Sequence, residues 1–176
     1  MILTFRFISD EEDDFIIDIN INHDQTFEEL HFEIQKALNY DSSQMASFFK
    51  SNDEWEKLDE ITLMDMGNDH DIKIMSETKI EDFFSEKNER ILYIYDFFAE
   101  RLFFGSISRT IDQESPIKLP SVSKLEGKIP EQLMMDAAFE EPSLSDLLDD
   151  EYDEPEFGEE SLDDIDDFSE DDGDFY

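Results

Sequence analysis

At 176 residues the chain has room for one domain and an extension, and its 39% apolar content is lowish for a globular protein. Fifty acidic residues against 13 basic ones give a net charge of −37, which repels anionic surfaces and attracts cationic ones. The absence of cysteine excludes disulfides, thiolate catalysis and cysteine-based zinc or iron–sulfur sites.

The chain opens on an alternation of Leu3, Phe5 and Phe7 with Thr4 and Arg6, the pattern of a half-buried strand. Acidic residues Glu11 to Asp14 make a polar turn. A second strand follows, with Phe15, Ile17, Ile19 and Ile21 on one face and Asp18 and Asn20 on the other, so the two form an antiparallel hairpin. Thr26 with Glu29 reads as a capping box, in which each side chain satisfies an orphan N–H at the start of a helix. Phe27, Leu30, Ile34 and Leu38 then recur at helical spacing and supply an apolar stripe to lay on the sheet. The helix ends over Asn39 to Ser43.

Met45 to Phe49 reads as a strand, Trp55 to Leu63 as another, and Met66 to Asp69 as a turn. Thr78 with Glu81 repeats the capping-box pattern ahead of a short second helix, Lys79 to Phe84. The most apolar segment spans residues 90 to 110. On its first strand Ile91, Tyr93, Tyr95 and Phe97 take one face, and Leu92, Ile94 and Phe98 the other; after Ala99-Glu100-Arg101 the chain returns as Leu102 to Ile107. Apolar side chains on both faces imply a central hairpin covered on both sides by helix, partner subunit or tail. The fold class expected is thus α+β: an antiparallel sheet of an N-terminal hairpin and a central aromatic hairpin, packed by one main helix and a short second one.

No proline precedes Pro116, and the run Pro116, Pro120, Pro130 marks a passage from fold to linker. The organisation expected is a head over 1–112, a proline-containing extension of it over 113–130, and an acidic tail over 131–176. That tail carries 21 of the 50 acids and none of the bases, whereas the head holds 13 of the 17 phenylalanines. Its 14 large apolar side chains over 46 residues are too few to repay ordering, so a disordered tail is expected. Within it, Ser143-Leu-Ser-Asp-Leu-Leu-Asp-Asp is echoed by Ser161-Leu-Asp-Asp-Ile-Asp-Asp-Phe, acids interleaved with apolar anchors in the manner of short helices that form against a partner.

Several segments carry a family resemblance. They are Thr26 through Tyr40, Asp41 through Phe49, Ile61-Thr-Leu-Met-Asp-Met-Gly, Met75-Ser-Glu-Thr-Lys-Ile, Ile91 through Arg101, and Leu119-Pro through Pro130. Over residues 1–130 the chain resembles the plasmid-borne open-reading-frame-three-like (pRi-type) proteins, some of them passengers of insertion elements. The resemblance implies an α+β fold of a hairpin, a helix and further antiparallel strands, and it implies no settled activity. Many members have a histidine before an aromatic where this chain reads Met45-Ala-Ser-Phe48, and Gly-Asp-Asp-Trp where it reads Phe98-Ala-Glu-Arg101. No site is carried over at those positions.

The histidines are His23, His31 and His70. None pairs with another at i, i+4 as a helical zinc site requires. His31 falls on the helix beside Glu28 and Gln35; His70, between Asp69 and Asp71, has a cation-binding look but reads more simply as a solvated loop histidine. Carboxylate pairs are so abundant that their spacing carries no acid/base information, and the Asp-rich runs lack the ligand alternation of a calcium loop. No nucleophile motif, phosphate-cradling glycine loop or dinucleotide fingerprint occurs. No catalytic, cofactor-binding or metal-binding residue is assigned, and no cofactor is expected. The scattered bases argue against direct nucleic-acid binding. The pairs Phe48-Phe49, Phe83-Phe84, Phe97-Phe98 and Phe103-Phe104 each have to cover two surfaces of a strand or expose one.

The function expected is therefore a non-catalytic interaction module whose acidic tail recruits a basic protein. Two alternatives stand beside it, a nucleic-acid mimic occupying a DNA-binding protein and an enzyme of unknown type. A homodimer through the aromatic strand faces is a further partner reading. The opening apolar run is too short for a signal peptide and no stretch reaches the ~20 apolar residues of a membrane helix, so a cytoplasmic location is expected and no membrane partner. Because exposed like charges repel, raising ionic strength toward about 0.5 M is expected to raise the melting temperature of the head. Scanning calorimetry across a salt series checks this, and a flat or falling midpoint would count against it.

Overall fold

Alternating side chains and one capped helix produce a single broad layer of strands with a helix laid across one face. The computed structural model describes residues 1–64, 73–112 and 116–132, all within one compact unit, Met1–Phe139. The expected turn over Met66 to Asp69 and the expected disordered tail from residue 133 onward lie outside the described residues. The strands are β1 (Ile2–Ser9), β2 (Ile16–Asn22), β3 (Ser47–Ser51), β4 (Lys57–Thr62), β5 (Lys73–Ile74), β6 (Arg90–Asp96), β7 (Arg101–Ile111) and β8 (Ser121–Glu126). The helix is α1 (Phe27–Leu38). All eight strands join in one open sheet of order β5-β4-β3-β6-β7-β1-β2-β8.

The N-terminal hairpin pairs in the register its alternation demands, Phe5 opposite Ile19 and Phe7 opposite Ile17. Its first strand also pairs with β7, so the two hairpins anticipated from the sequence fuse edge to edge. The sheet is mixed rather than antiparallel throughout, because the two-residue β5 lies parallel to β4, with Ile61 opposite Lys73. A Lys73–Asp59 ion pair at 3.0 Å ties the same two strands.

Helix α1 begins as its sequence dictates. The Thr26 hydroxyl accepts from Glu29 N at 3.3 Å, and the Glu29 carboxylate accepts from Thr26 N at 3.0 Å. At the other end Asn39 turns left-handed (φ 56°) and its N–H closes back on the Gln35 and Lys36 carbonyls. The stripe of Phe27, Leu30, Ile34 and Leu38 is buried against Leu3, Phe5, Ile17, Ile19, Tyr93 and their neighbours.

The second helix is not formed. A single 3₁₀ turn, Ile80–Asp82, occupies its place. The Thr78 hydroxyl does not cap it; it donates to the Ile74 carbonyl at 2.8 Å. Glu81 is drawn outward to Lys79 and His23. Phe84 is buried in the core with Phe83 packed beside it, and the Glu89 carboxylate collects the N–H groups of Ser85 and Glu86, so the chain is led away from a second helical turn.

The central hairpin differs from its expected extent. Strand β6 ends at Asp96, whose carboxylate accepts the N–H groups of Phe98 (3.0 Å) and Ala99 (2.9 Å), so Phe97 and Phe98 stand in the turn and on neither strand face. The proline-containing stretch read as leading to a linker supplies the edge strand β8, paired to β2 with Ile17 opposite Leu125.

The sheet face away from α1 has a smaller core of its own. Phe49, Leu92 and Ile94 are buried there, with Trp55, Leu102 and Phe104 packed on them. Trp55 reaches this position from the β3–β4 loop in a left-handed conformation (φ 63°) that a bulky side chain rarely adopts. Asn52 holds the loop in shape, its side-chain oxygen accepting from Glu54 N and Glu56 N. The indole then meets the Phe104 ring edge-on at 5.1 Å and carries the Arg90 guanidinium over its face at 4.7 Å.

Gly105 lies midway along β7, opposite Phe7 on one side and Ile91 on the other. A Cβ there would stand 2.6 Å from atoms of both side chains. Gly105→Ala is therefore expected to cost about 1–3 kcal/mol through overpacking. Urea denaturation checks this, and a variant as stable as the parent would show that the Phe7 ring has room to yield.

Candidate functional site

Polar groups inside an aromatic core are the first place to look for chemistry, because each needs a partner to be tolerated. His31 and Gln35 sit one turn apart on the buried side of α1, flanked by Leu30 and Ile34, and both face β6. Gln35 Nε2 donates to the Tyr93 hydroxyl at 2.6 Å, and that hydroxyl lies 2.8 Å from His31 Nδ1. The direction of the hydroxyl–Nδ1 bond is set by the imidazole tautomer. His31, Gln35 and Tyr93 are all essentially inaccessible.

Three atoms in this region, His31 Nε2, Gln35 Oε1 and the Tyr95 hydroxyl, are buried without a hydrogen-bond partner. Each such orphan costs about 1–3 kcal/mol. The Tyr40 and Tyr95 rings stack at 5.2 Å, and Tyr40 donates to the Pro130 carbonyl at 2.5 Å. Burial raises the pKa of Tyr40, Tyr93 and Tyr95, so all three stay protonated phenols. Burial also lowers that of His31 to about 4, so the imidazole is neutral. The cluster fixes α1 in register over β6 through directional bonds that a purely apolar face would not supply.

The other histidines are apart from it. His23, past the end of β2, bonds through Nδ1 to Glu81 Oε2 at 2.8 Å. Lys79 and His23 together hold the Glu81 carboxyl below its ordinary range. His70 lies outside the described residues. Among the described residues no three His, Asp or Glu side chains gather as a metal ion would require.

A cleft of about 350 Å³ is lined by residues 50–53 and 87–90 and holds three cations, Lys50, Lys87 and Arg90. Two of them are engaged within the chain. Lys50 donates to the Phe83 carbonyl at 2.8 Å and pairs with Glu89 at 3.4 Å. Arg90 pairs with the Asp53 carboxylate at 3.5 Å, donates to its carbonyl and stacks on Trp55. The cleft is thus largely self-neutralised. The same holds across the described surface, where nine of the 13 lysines and arginines pair with a carboxylate. The most intimate of these is Arg6 across β1–β2 to Asp18, two parallel bonds at 2.8 and 2.7 Å.

The four phenylalanine pairs separate by environment. Phe48 and Phe49 are buried on opposite faces of β3. Phe84 and Phe103 are in the main core, with Phe83 and Phe104 partly buried. Phe97 and Phe98 are the exposed pair, 41% and 69% accessible. Sequence reasoning placed Phe97 and Phe98 on β6 and left His31 without a partner. The signal for His31 was present, since positions 31 and 35 fall on the same helical stripe as Leu30 and Ile34.

The neutral state of His31 carries a pH dependence. In the unfolded chain its pKa is the ordinary histidine value of 6.5, and in the fold burial brings it to about 4. The fold binds the proton less well, so its full contribution is present above pH 6.5 and is lost as pH falls toward 4. The loss amounts to about 3 kcal/mol. Carboxylate titration in the same range is common to parent and variant, so the measurement is the difference in unfolding free energy between parent and His31→Gln at neutral pH and near pH 4. That difference is expected to narrow by this amount on acidification; a constant gap would mean that His31 accepts its proton within the fold.

No curated protein matches the chain. Among solved structures, a protein of unknown function from Methanosarcina mazei Go1 is similar at a TM-score of 0.55, with 18% identity, over 70% of this chain and 68% of that one. At that identity the likeness is one of fold alone. The family model described as plasmid pRiA4b ORF-3-like protein matches residues 8–171, beyond the residues 1–130 on which the resemblance rested. The chain belongs to the plasmid pRiA4b ORF-3-like family.

Proposed function

We propose that the chain is a non-catalytic, cytoplasmic interaction module that recruits a basic protein partner through its acid-rich C-terminal stretch. The observation that carries this reading is the segregation of charge. Residues 131–176 hold 21 acids and no base, while most cations of the head are already spent on carboxylates of the head itself. A net charge of −37 so arranged gathers cationic partners and speeds their encounter.

Other features favour the same reading over its rivals. Mutual pairing of Lys and Arg with carboxylates leaves little to meet phosphates, which argues against direct nucleic-acid binding. The His31–Tyr93–Gln35 cluster is sealed from solvent and so is a poor place for substrate chemistry. A homodimer through the aromatic strand faces is the weaker partner reading, because Phe49, Leu92 and Ile94 are already buried within the chain. No helix among the described residues is long and apolar enough to cross a membrane.

The test is affinity capture from the native cell with the full chain and with a chain ending at Gln132. The expected result is a basic partner retained by the full chain alone, with affinity falling steeply from low to high salt. A partner bound equally by both chains, or with salt-insensitive affinity, would overturn the reading.

A further inference from the structure

Phe98 is the most exposed large apolar side chain among the described residues, and Phe97 beside it is nearly half accessible. Exposed single apolar residues need no explanation, but this pair is held in one shape. The Asp96 carboxylate, itself buried, accepts from Phe98 N and Ala99 N, and Glu100 turns left-handed (φ 54°) to lead into β7. A turn fixed by its own side chain displays two rings that lose little freedom on binding.

The surroundings of the turn are acidic. Strands β1 and β7 pair with Ser9 opposite Phe103, which brings the β1–β2 turn to the same end of the sheet. That turn reads Asp10-Glu-Glu-Asp-Asp14, and Arg101 reaches it through Glu11 at 3.1 Å. The Arg101 guanidinium also donates to the Glu131 carbonyl, and Gln132 Nε2 donates to the Tyr95 carbonyl at 3.4 Å. The acid-rich stretch therefore starts beside the aromatic turn.

We infer that the β6–β7 turn is a docking anchor for a basic protein segment that carries apolar residues among its lysines and arginines. The inference rests on the recruitment reading above and names the surface that adds specificity to it. The surrounding carboxylates guide a cationic segment to this end of the sheet. Phe97 and Phe98 supply the apolar contact that slows its release. A segment of basic residues alone gains the first effect and not the second, and an acidic apolar segment is repelled.

The test uses the full chain and two short synthetic peptides of equal charge, one alternating lysine with leucine and one alternating lysine with serine, at physiological ionic strength. The leucine peptide is expected to bind the parent about tenfold more tightly, the worth of roughly 1.4 kcal/mol of apolar contact. Its binding is expected to shift the amide resonances of residues 96–100. The double variant Phe97→Ser, Phe98→Ser should lose the tenfold preference, keep the serine-peptide affinity, and melt at the parent temperature because both rings are exposed. A preference that survives in the variant, or equal affinity for the two peptides in the parent, overturns the anchor and leaves charge recruitment standing. Failure of both peptides to bind overturns the two readings together.

Discussion

The structure depends on a row of aromatic rings running across its strands beneath the helix. Phe48 of β3 stacks on Tyr93 of β6 at 4.5 Å, Tyr95 stacks on Phe103 of β7 at 4.4 Å, and Phe103 stacks in turn on Phe15 at 5.0 Å. Phe27 brings α1 onto the row at 5.5 Å from Phe48. Such pairs contribute about 0.5–1.5 kcal/mol each beyond the area they bury. Because the two rings of each stacked pair come from different segments of the chain, the row fixes strand order and register together. One hydroxyl in it, that of Tyr93, takes the two helix side chains that orient α1 over the sheet.

A chain so acidic must hold its core together against its own charge. Cations are accordingly spent as local ties, several of them resting on rings as well as on carboxylates. Lys50 lies over Phe84, Lys57 over Phe49, Lys73 over Phe83 and Arg90 over Trp55, all around β3, β4 and the 3₁₀ turn. Each covers an aromatic face, and Lys50, Lys73 and Arg90 pair with a carboxylate as well. At the opposite end of the sheet Arg101 and Lys128 pair with Glu11 and Glu12, and with Asp10, Asp13 and Asp14 beside them the acids of the β1–β2 turn remain in excess.

Much of this was readable in advance, and the misses have physical causes. Strict alternation in Leu3, Phe5, Phe7 and in Ile17, Ile19, Ile21 announced one buried face, and Thr26 with Glu29 announced a helix start. The same Thr-x-x-Glu spacing at Thr78 misled, because a capping box needs a run of helical positions after it and Phe83-Phe84 belong to the core. Strand β8 was missed because its pairing slips between Asp18 and Ile19, so Val122 and Leu125 fall three apart and break the alternation. Left-handed Trp55 had no cue, since glycine and asparagine are the residues that advertise that backbone. Asp96 did carry a cue, an acidic residue at a strand end that gathers the next N–H groups. The stripe over Phe27 to Leu38 contained His31 and Gln35, but their partner Tyr93 is 62 and 58 residues away, and no local pattern names it.

The eighth strand has a consequence of its own. By lying along β2 it occupies backbone donors and acceptors that would otherwise form an open, flat, isoleucine-rich border, from Ile16 to Asn20. A protease that cut the connection between β7 and β8 and let the outer ribbon peel off would convert that border into a template for strand addition by other molecules. The last well-paired ribbon of the fold thus serves as a seam guard, and the protection of that border rests on a segment whose flanking prolines make it look dispensable.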